Sequence, residues 1–475
     1  MRKILTQILI LISMISFGQE LSKQKEEIAK TGELSLKYEI KHLTSKYYPN
    51  EERILKVFLP ENYDPSKKHP VIYTLDGETI FDLSIKNISV LQNNTLDGNN
   101  IIPECITVAI NNIDRGRDLT PNLGFNTNLP LGKFKKGSEI FYNILNQEIV
   151  PFITENYSTS GFNVLIGHSN AGHFATQLYL KEDNNFKGII ALSVNDMGNY
   201  FQKELTNNLN QDKSKFLFLG YGNKDNGFNE LGKNLEKQKL PNKNIFVKAY
   251  NADHIQLPFT SLFDAIKFMF SDYRFYDDLI EQNYNDKFDY SLFLNKYKNN
   301  ISDKYGIKTE IDYDIMYLIE KAIEMNKEFV FNNLLNEIDR TELLQLQYRF
   351  WYSNELNQKE RAKNYLHQML QSEDETDKKI FFANLKSQYF DFYINKLNQP
   401  SEFIDFVEKA KKKWTEYTLE FNYLILKTLV DEKIKSSKKK KYYKYCEKNF
   451  KENRYFTMED LQKLNKKTDA SRVDD

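Results

Sequence analysis

Between residues 35 and 278 the apolar positions fall into short runs separated by longer stretches in which they recur every third or fourth residue. RILKVFLP (53–60) alternates as a strand does, and PVIYTLDG (70–77), ITVAINN (106–112), FKGIIALS (186–193), KFLFLGYG (215–222) and NIFVKAY (244–250) are compact apolar strands ending on turns. Helical spacing fills SEIFYNILNQEIVPFITENY (138–157), with Ser138 as its cap, and LPFTSLFDAIKFMFSDY (257–273). FNVLIGHSNAG (162–172) passes from strand to helix. Short apolar strands alternating with helices predict an α/β fold with a mostly parallel sheet covered on both faces.

The strand pattern stops near residue 275. Helical patterns then occupy 308–326, 329–338, 340–351, 357–370, 376–396, 399–413 and 416–431, with a break at Asn398-Gln399-Pro400. This predicts an all-α, helical-repeat-like domain. NELNQKERAKNYLHQML (354–370) is similar to a tetratricopeptide helix pair, but no period of about 34 residues recurs. The expected domains are a leader over 1–18, a polar segment over 19–34, the α/β domain over 35–278, the helical domain over 279–432 and a lysine-rich extension over 433–475. In that extension the run Lys438–Lys441 reads as a solvated helix end or a loose tail.

Arg2 and Lys3 precede a mainly apolar run, Ile4 to Phe17, and Ser16 and Gly18 supply the small residues a signal peptidase requires. The run is shorter than the roughly 20 residues of a membrane span. No cysteine marks a lipid-anchoring site. Export to the periplasm or the medium is expected, with no membrane span once the leader is removed.

The 66 basic and 66 acidic residues balance, which gives no general attraction to nucleic acid, and a nucleic-acid partner is not expected. Cys105 and Cys446 lie in different expected domains and lack the spacing of a zinc site. They read as buried thiols, with a single disulfide between them as the alternative.

The chemistry gathers at Gly167-His168-Ser169-Asn170-Ala171-Gly172. A serine hydroxyl is a weak nucleophile until a base can take its proton, and a tight strand-to-helix turn lifts it clear of the backbone for that purpose. The pattern here is G-x-S-x-A-G, with alanine where the common motif has its second glycine. A base is needed later in the chain. His254, in YNADHIQLP after the strand 244–250, falls at the same sheet edge as Ser169. Asp225, after the strand 215–222, gives the order serine, acid, histidine; Glu230, Asp196 and Asp253 are its rivals. The first oxyanion donor expected is the N–H of Asn170, and the second that of Gly77 or Glu78. His168 and His173 flank the turn, as pocket walls or as supports. Arg115, Arg117 and Asp118, in IDRGRDLTP (113–121), either line the mouth of the pocket or pair to hold the loop.

Taken in order, VIYTLDGE (71–78), VAINNIDRGRDLTP (108–121), EIVPFITENY (148–157), VLIGHSNAGHFA (164–175) and ADHIQLPFTSLFDAIKFM (252–269) resemble the esterase family that includes enterochelin esterases, S-formylglutathione hydrolase-like enzymes and carbohydrate esterases. The resemblance covers roughly residues 35–275. It implies an α/β-hydrolase fold, Ser169 as nucleophile, His254 as base and Asp225 as acid, with no metal or organic cofactor. It also implies a carboxylic ester substrate, either a small molecule or one linked to carbohydrate. Two positions depart from the family pattern: Ala171 replaces its first glycine, and Val194 in LSVND (192–196) replaces the proline of an SPS-like loop. Relatives with helical tails exist, and the tail here is where a protein partner would bind. The alternative class is an inactive α/β-hydrolase-like binding protein whose helical domain engages that partner.

Overall fold

The computed structural model describes residues 38–93, 100–125, 128–208, 215–238, 244–274, 277–309, 315–337 and 341–470. The expected leader and the segment over 19–34 lie outside the described residues. Eight strands form one sheet: β1 (Glu39–Thr44), β2 (Glu52–Phe58), β3 (His69–Thr74), β4 (Ile106–Ile110), β5 (Thr159–His168), β6 (Gly188–Leu192), β7 (Phe216–Gly222) and β8 (Ile245–Tyr250). Their spatial order is β1-β2-β4-β3-β5-β6-β7-β8. The pairs β1–β2 and β2–β4 are antiparallel and all the others parallel. This is the α/β architecture expected, followed by an all-α region.

Strands β3, β4, β6 and β7 are buried at every position, because helices cover both faces. The two-residue period of β7 divides its side chains between those faces. Leu217 and Leu219 join the core formed with Phe141 and Phe174, whereas Phe216 and Phe218 meet Phe268 of the helix Leu257–Met269. The edge strand β1, EIKHLT, carries no apolar run and escapes the sequence pattern; charged residues on such an edge discourage pairing with another chain.

The helix expected over 138–157 begins at Lys136, continues through a π turn at Leu145–Ile149 and ends at Asn156. Ser138 is not its cap. It sits one turn inside, where its Oγ accepts the Lys135 N–H at 3.0 Å.

Two compact units emerge. The first runs to Asn283 and resumes over Asp289–Tyr317; the second comprises Tyr284–Phe288 and the chain from Leu318 onward. The sheet-bearing unit therefore extends beyond residue 278, because the helix Tyr290–Tyr305 packs on β5: Tyr305 is fully buried, its ring 4.9 Å from that of Phe162. In the second unit, Phe381, Tyr389, Phe406 and Trp414 build an aromatic core. The run Lys438–Lys441 is a helix end, the first of the two readings given for it. The helices Lys439–Lys448 and Met458–Ala470 bring Tyr442, Cys446, Leu461 and Leu464 into that core. Cys105 and Cys446 are both free and buried. No helix among the described residues is long and apolar enough to cross a membrane.

Candidate active site

Ser169 follows the last residue of β5 and precedes the helix Asn170–Tyr179, with φ 60° and ψ −123°. Few non-glycine residues adopt such angles, and holding them costs on the order of 1–3 kcal/mol. The surrounding chain enforces the turn. A Cβ on Gly167 would lie 2.2 Å from the Ala171 carbonyl oxygen, and one on Gly172 would lie 2.6 Å from that of Leu192. Ala171 itself is buried with its methyl in the core. The crowding thus demands glycine at 167 and 172 and leaves room for alanine between them. At the start of the helix, the Asn170 N–H has no carbonyl one turn back to accept it.

The loops after β7 and β8 meet at the same edge. The N–H of Lys224 donates to the carbonyl of Ala252 at 3.1 Å, and a Cβ on Gly222 would lie 2.3 Å from that oxygen. This contact brings His254 Nδ1 to 2.9 Å from Asp225 Oδ2. Asp225 is 4% exposed and also accepts the Ser193 hydroxyl at 2.7 Å. The rival acids serve local turns: Asp253 accepts the N–H groups of Ile255 and Gln256, Asp196 accepts that of Gln202, and Glu230 opens the helix Glu230–Lys237. The His254 ring lies between Phe228 and His168, each with its ring centroid 4.7 Å away. Ser169 Oγ makes no hydrogen bond to His254 among the described residues. Such bonds are often long in unliganded enzymes.

His168 and His173 act as supports. His168 Nε2 donates to the His254 carbonyl at 2.8 Å, which ties the turn to the histidine loop. His173 Nδ1 donates to the Ser169 carbonyl at 2.8 Å, and its Nε2 accepts the Asn195 N–H at 3.0 Å. Burial pushes both imidazoles down to about 4; for His168 the nearby His254 adds to the effect. Both are neutral at pH 7, and for His173 the acceptor role of Nε2 requires it.

The loop after β3 is held from the side. Arg115 grips Asp76 through two bonds of 2.7 and 2.9 Å and reaches the His168 carbonyl at 3.4 Å. That ion pair raises the Arg115 pKa further above its ordinary value. Of the two expected second donors, the Gly77 N–H is already engaged by the Ile110 carbonyl at 3.1 Å and drops out. The Glu78 N–H has no partner among the described residues. The Glu78 carboxylate binds Asn112.

Arg117 and Asp118 follow the pairing alternative. Arg117 pairs with Glu51 at 2.5 and 2.8 Å and with Asp118 at 2.7 Å, while Asp118, 1% exposed, also pairs with buried Arg53 at 2.7 Å. Ser193, Glu51 and Arg53 were not anticipated. Ser193 had a weak signal, its place in the loop where Val194 departs from the family pattern, whereas Glu51 and Arg53 had none, since their partners lie more than 60 positions away. No group of residues suited to a metal occurs among the described residues.

A sheet of this order, a strained serine turn at its carboxyl edge and a paired acid and histidine on later loops define an α/β-hydrolase-type domain. Residues 46–252 match the family model described as "Putative esterase". Solved structures similar to this chain include an IroE-like serine hydrolase from Shewanella oneidensis, 22% identical, with the match covering 70% of this chain and 99% of that one at a TM-score of 0.48. An uncharacterised protein from Capnocytophaga ochracea is 16% identical over 70% of this chain and 94% of its own, TM-score 0.49. The BES protein from Bacillus cereus is 23% identical over 50% and 98%, TM-score 0.42. No curated protein matches.

Proposed function

We propose that this chain is an exported serine esterase that cleaves carboxylic esters through an acyl-enzyme. The observation that carries the reading is the Asp225–His254 pair at 2.9 Å, on the sheet edge that also bears Ser169 in its strained turn. Ser169 Oγ attacks the ester carbonyl while His254 Nε2 takes its proton. Asp225 accepts the Nδ1–H and stabilises the imidazolium. The N–H groups of Asn170 and Glu78 hold the oxyanion; one such donor is worth about 3 kcal/mol in the transition state. His254 then protonates the departing alcohol, and water activated by the same ring releases the acid.

The test is hydrolysis of short-acyl p-nitrophenyl esters by protein recovered from outside the cytoplasm of a secreting host, beside Ser169→Ala. We expect a rate that falls at least about a thousand-fold in the variant, and an amino terminus near Gln19. Equal rates from two folded proteins would remove Ser169 from the mechanism and shift weight to a binding protein. Retention of Met1 would remove export.

A further inference from the structure

We propose that the helical unit carries a binding groove for an acidic polysaccharide chain. The proposal is independent of the ester-hydrolase reading, since every residue it uses lies in the second unit. A groove of about 780 Å³ opens between the end of the helix Pro400–Lys413 and the start of the helix Lys439–Lys448, with the helix Thr418–Asp431 at its side. Lys411, Lys412, Lys438 and Lys441 line it. Its two carboxylates are Asp405 and Glu408, and Glu408 is already committed to Lys411 at 2.7 Å and to the Tyr442 hydroxyl. Lys412, Lys438 and Lys441 form no direct ion pair among the described residues, although Lys438 also feels the charge of Glu408.

Two of these cations, Lys438 and Lys441, are opposed by their own helix. Lys411–Lys413 sit in the last turn of their helix, where the dipole favours cations, but Lys438 caps the other helix and Lys439–Lys441 fill its first turn, where the dipole opposes them. Lysines that repel one another and also face the positive end of a helix are relieved by an anion in the groove. The chemistry of the lining narrows the class of anion. All four cations are lysines, compact point charges suited to anions spaced singly along a chain, and no arginine offers the planar fork that grips phosphate. Tyr445, 39% exposed at the rim, presents an aromatic face and a hydroxyl to a sugar ring. A recess, rather than a flat or protruding face, suits a linear chain better than a bilayer surface.

The experiment is titration of the full-length protein with polygalacturonate at about 20 mM and at 300 mM salt, roughly spanning strong and weak screening. Neutral dextran, single-stranded DNA, polyglutamate and anionic phosphatidylglycerol vesicles are run beside it. The triple variant Lys412→Gln, Lys438→Gln, Lys441→Gln is compared with a control triple, Lys203→Gln, Lys233→Gln, Lys237→Gln, in the other unit. We expect saturable binding of polygalacturonate that weakens with salt, no binding of dextran, and at least a tenfold rise in Kd for the groove triple only. Tyr445→Ala should raise Kd about threefold at either salt concentration. Equal affinity of wild type and groove triple, or no binding at low salt, overturns the site. Tighter binding of DNA, polyglutamate or vesicles than of polygalacturonate overturns the assignment to polysaccharide.

Discussion

Ser169, His173 and Asn195 show how one side chain serves a turn from behind. His173 is 1% exposed, donates to the Ser169 carbonyl and accepts the Asn195 N–H, so only its neutral form fits. With its pKa pushed down to about 4 by burial, the unfolded chain binds the extra proton between the ordinary value of 6.5 and that lower one. Stability from this group is therefore complete above about 6.5 and is lost as pH falls towards 4, by roughly 2–3 kcal/mol. Urea unfolding at pH 7 and pH 4.5 should show that loss in the wild type and a smaller one in His173→Gln. Parallel losses in both proteins would rule His173 out as the source. At this scale the sequence exposed Ser169, because glycines, a preceding strand and a following helix all converge on it. It marked the loop of Ser193 but not its partner, because a serine that reaches an acid 32 residues later follows no spacing rule. It also left Arg117 and Asp118 undecided, since whether a charged loop faces a pocket or pairs beneath it depends on where Glu51 and Arg53 fold.

Among the elements, the helix Tyr290–Tyr305 shows what a periodicity scan misses. Its buried positions, Phe293, Tyr297, Ile301 and Tyr305, keep a strict four-residue spacing, but asparagine, lysine and serine between them lower the signal. It ends at Gly306, with φ 67° and its N–H bonded to the Ser302 carbonyl at 2.9 Å. A Cβ there would sit 2.3 Å from the Ser160 carbonyl oxygen at the start of β5. Gly306→Ala should destabilise the protein by about 1–2 kcal/mol from the left-handed backbone alone, and by more from the collision with backbone. A urea midpoint equal to wild type would show that the chain there moves freely and that the cap is not required. The strand-to-helix turns, by contrast, were readable because each apolar run stops at a glycine or a polar cluster.

At the level of the molecule, each unit has its own core, and the boundary follows packing rather than the change from strand to helix pattern near residue 275. A chain ending at residue 309 keeps Tyr297, Ile301 and Tyr305 against the sheet; one ending at residue 278 removes them. Each fully buried side chain of this size contributes about 1.5–3 kcal/mol, so the shorter chain should melt at markedly lower temperature or aggregate. Thermal melts of the two fragments by circular dichroism decide the matter. Identical curves would make the helix dispensable to the α/β unit.

The sequence by itself determined the α/β class of the first half, the core strands around the serine turn, the helical character of the second half and the short roster of serine, acid and histidine. Each of these follows from local period or from order along the chain. The tertiary structure alone decided which contacts complete the site: the pairing of Asp225 with His254, the engagement of the Gly77 N–H by Ile110 and the assignment of residues 289–317 to the sheet-bearing unit. The lysines around residues 411 and 441 belong to the same group, joined in one groove although thirty positions apart. These depend on segments distant in sequence arriving at one place, which no periodicity within a single segment encodes.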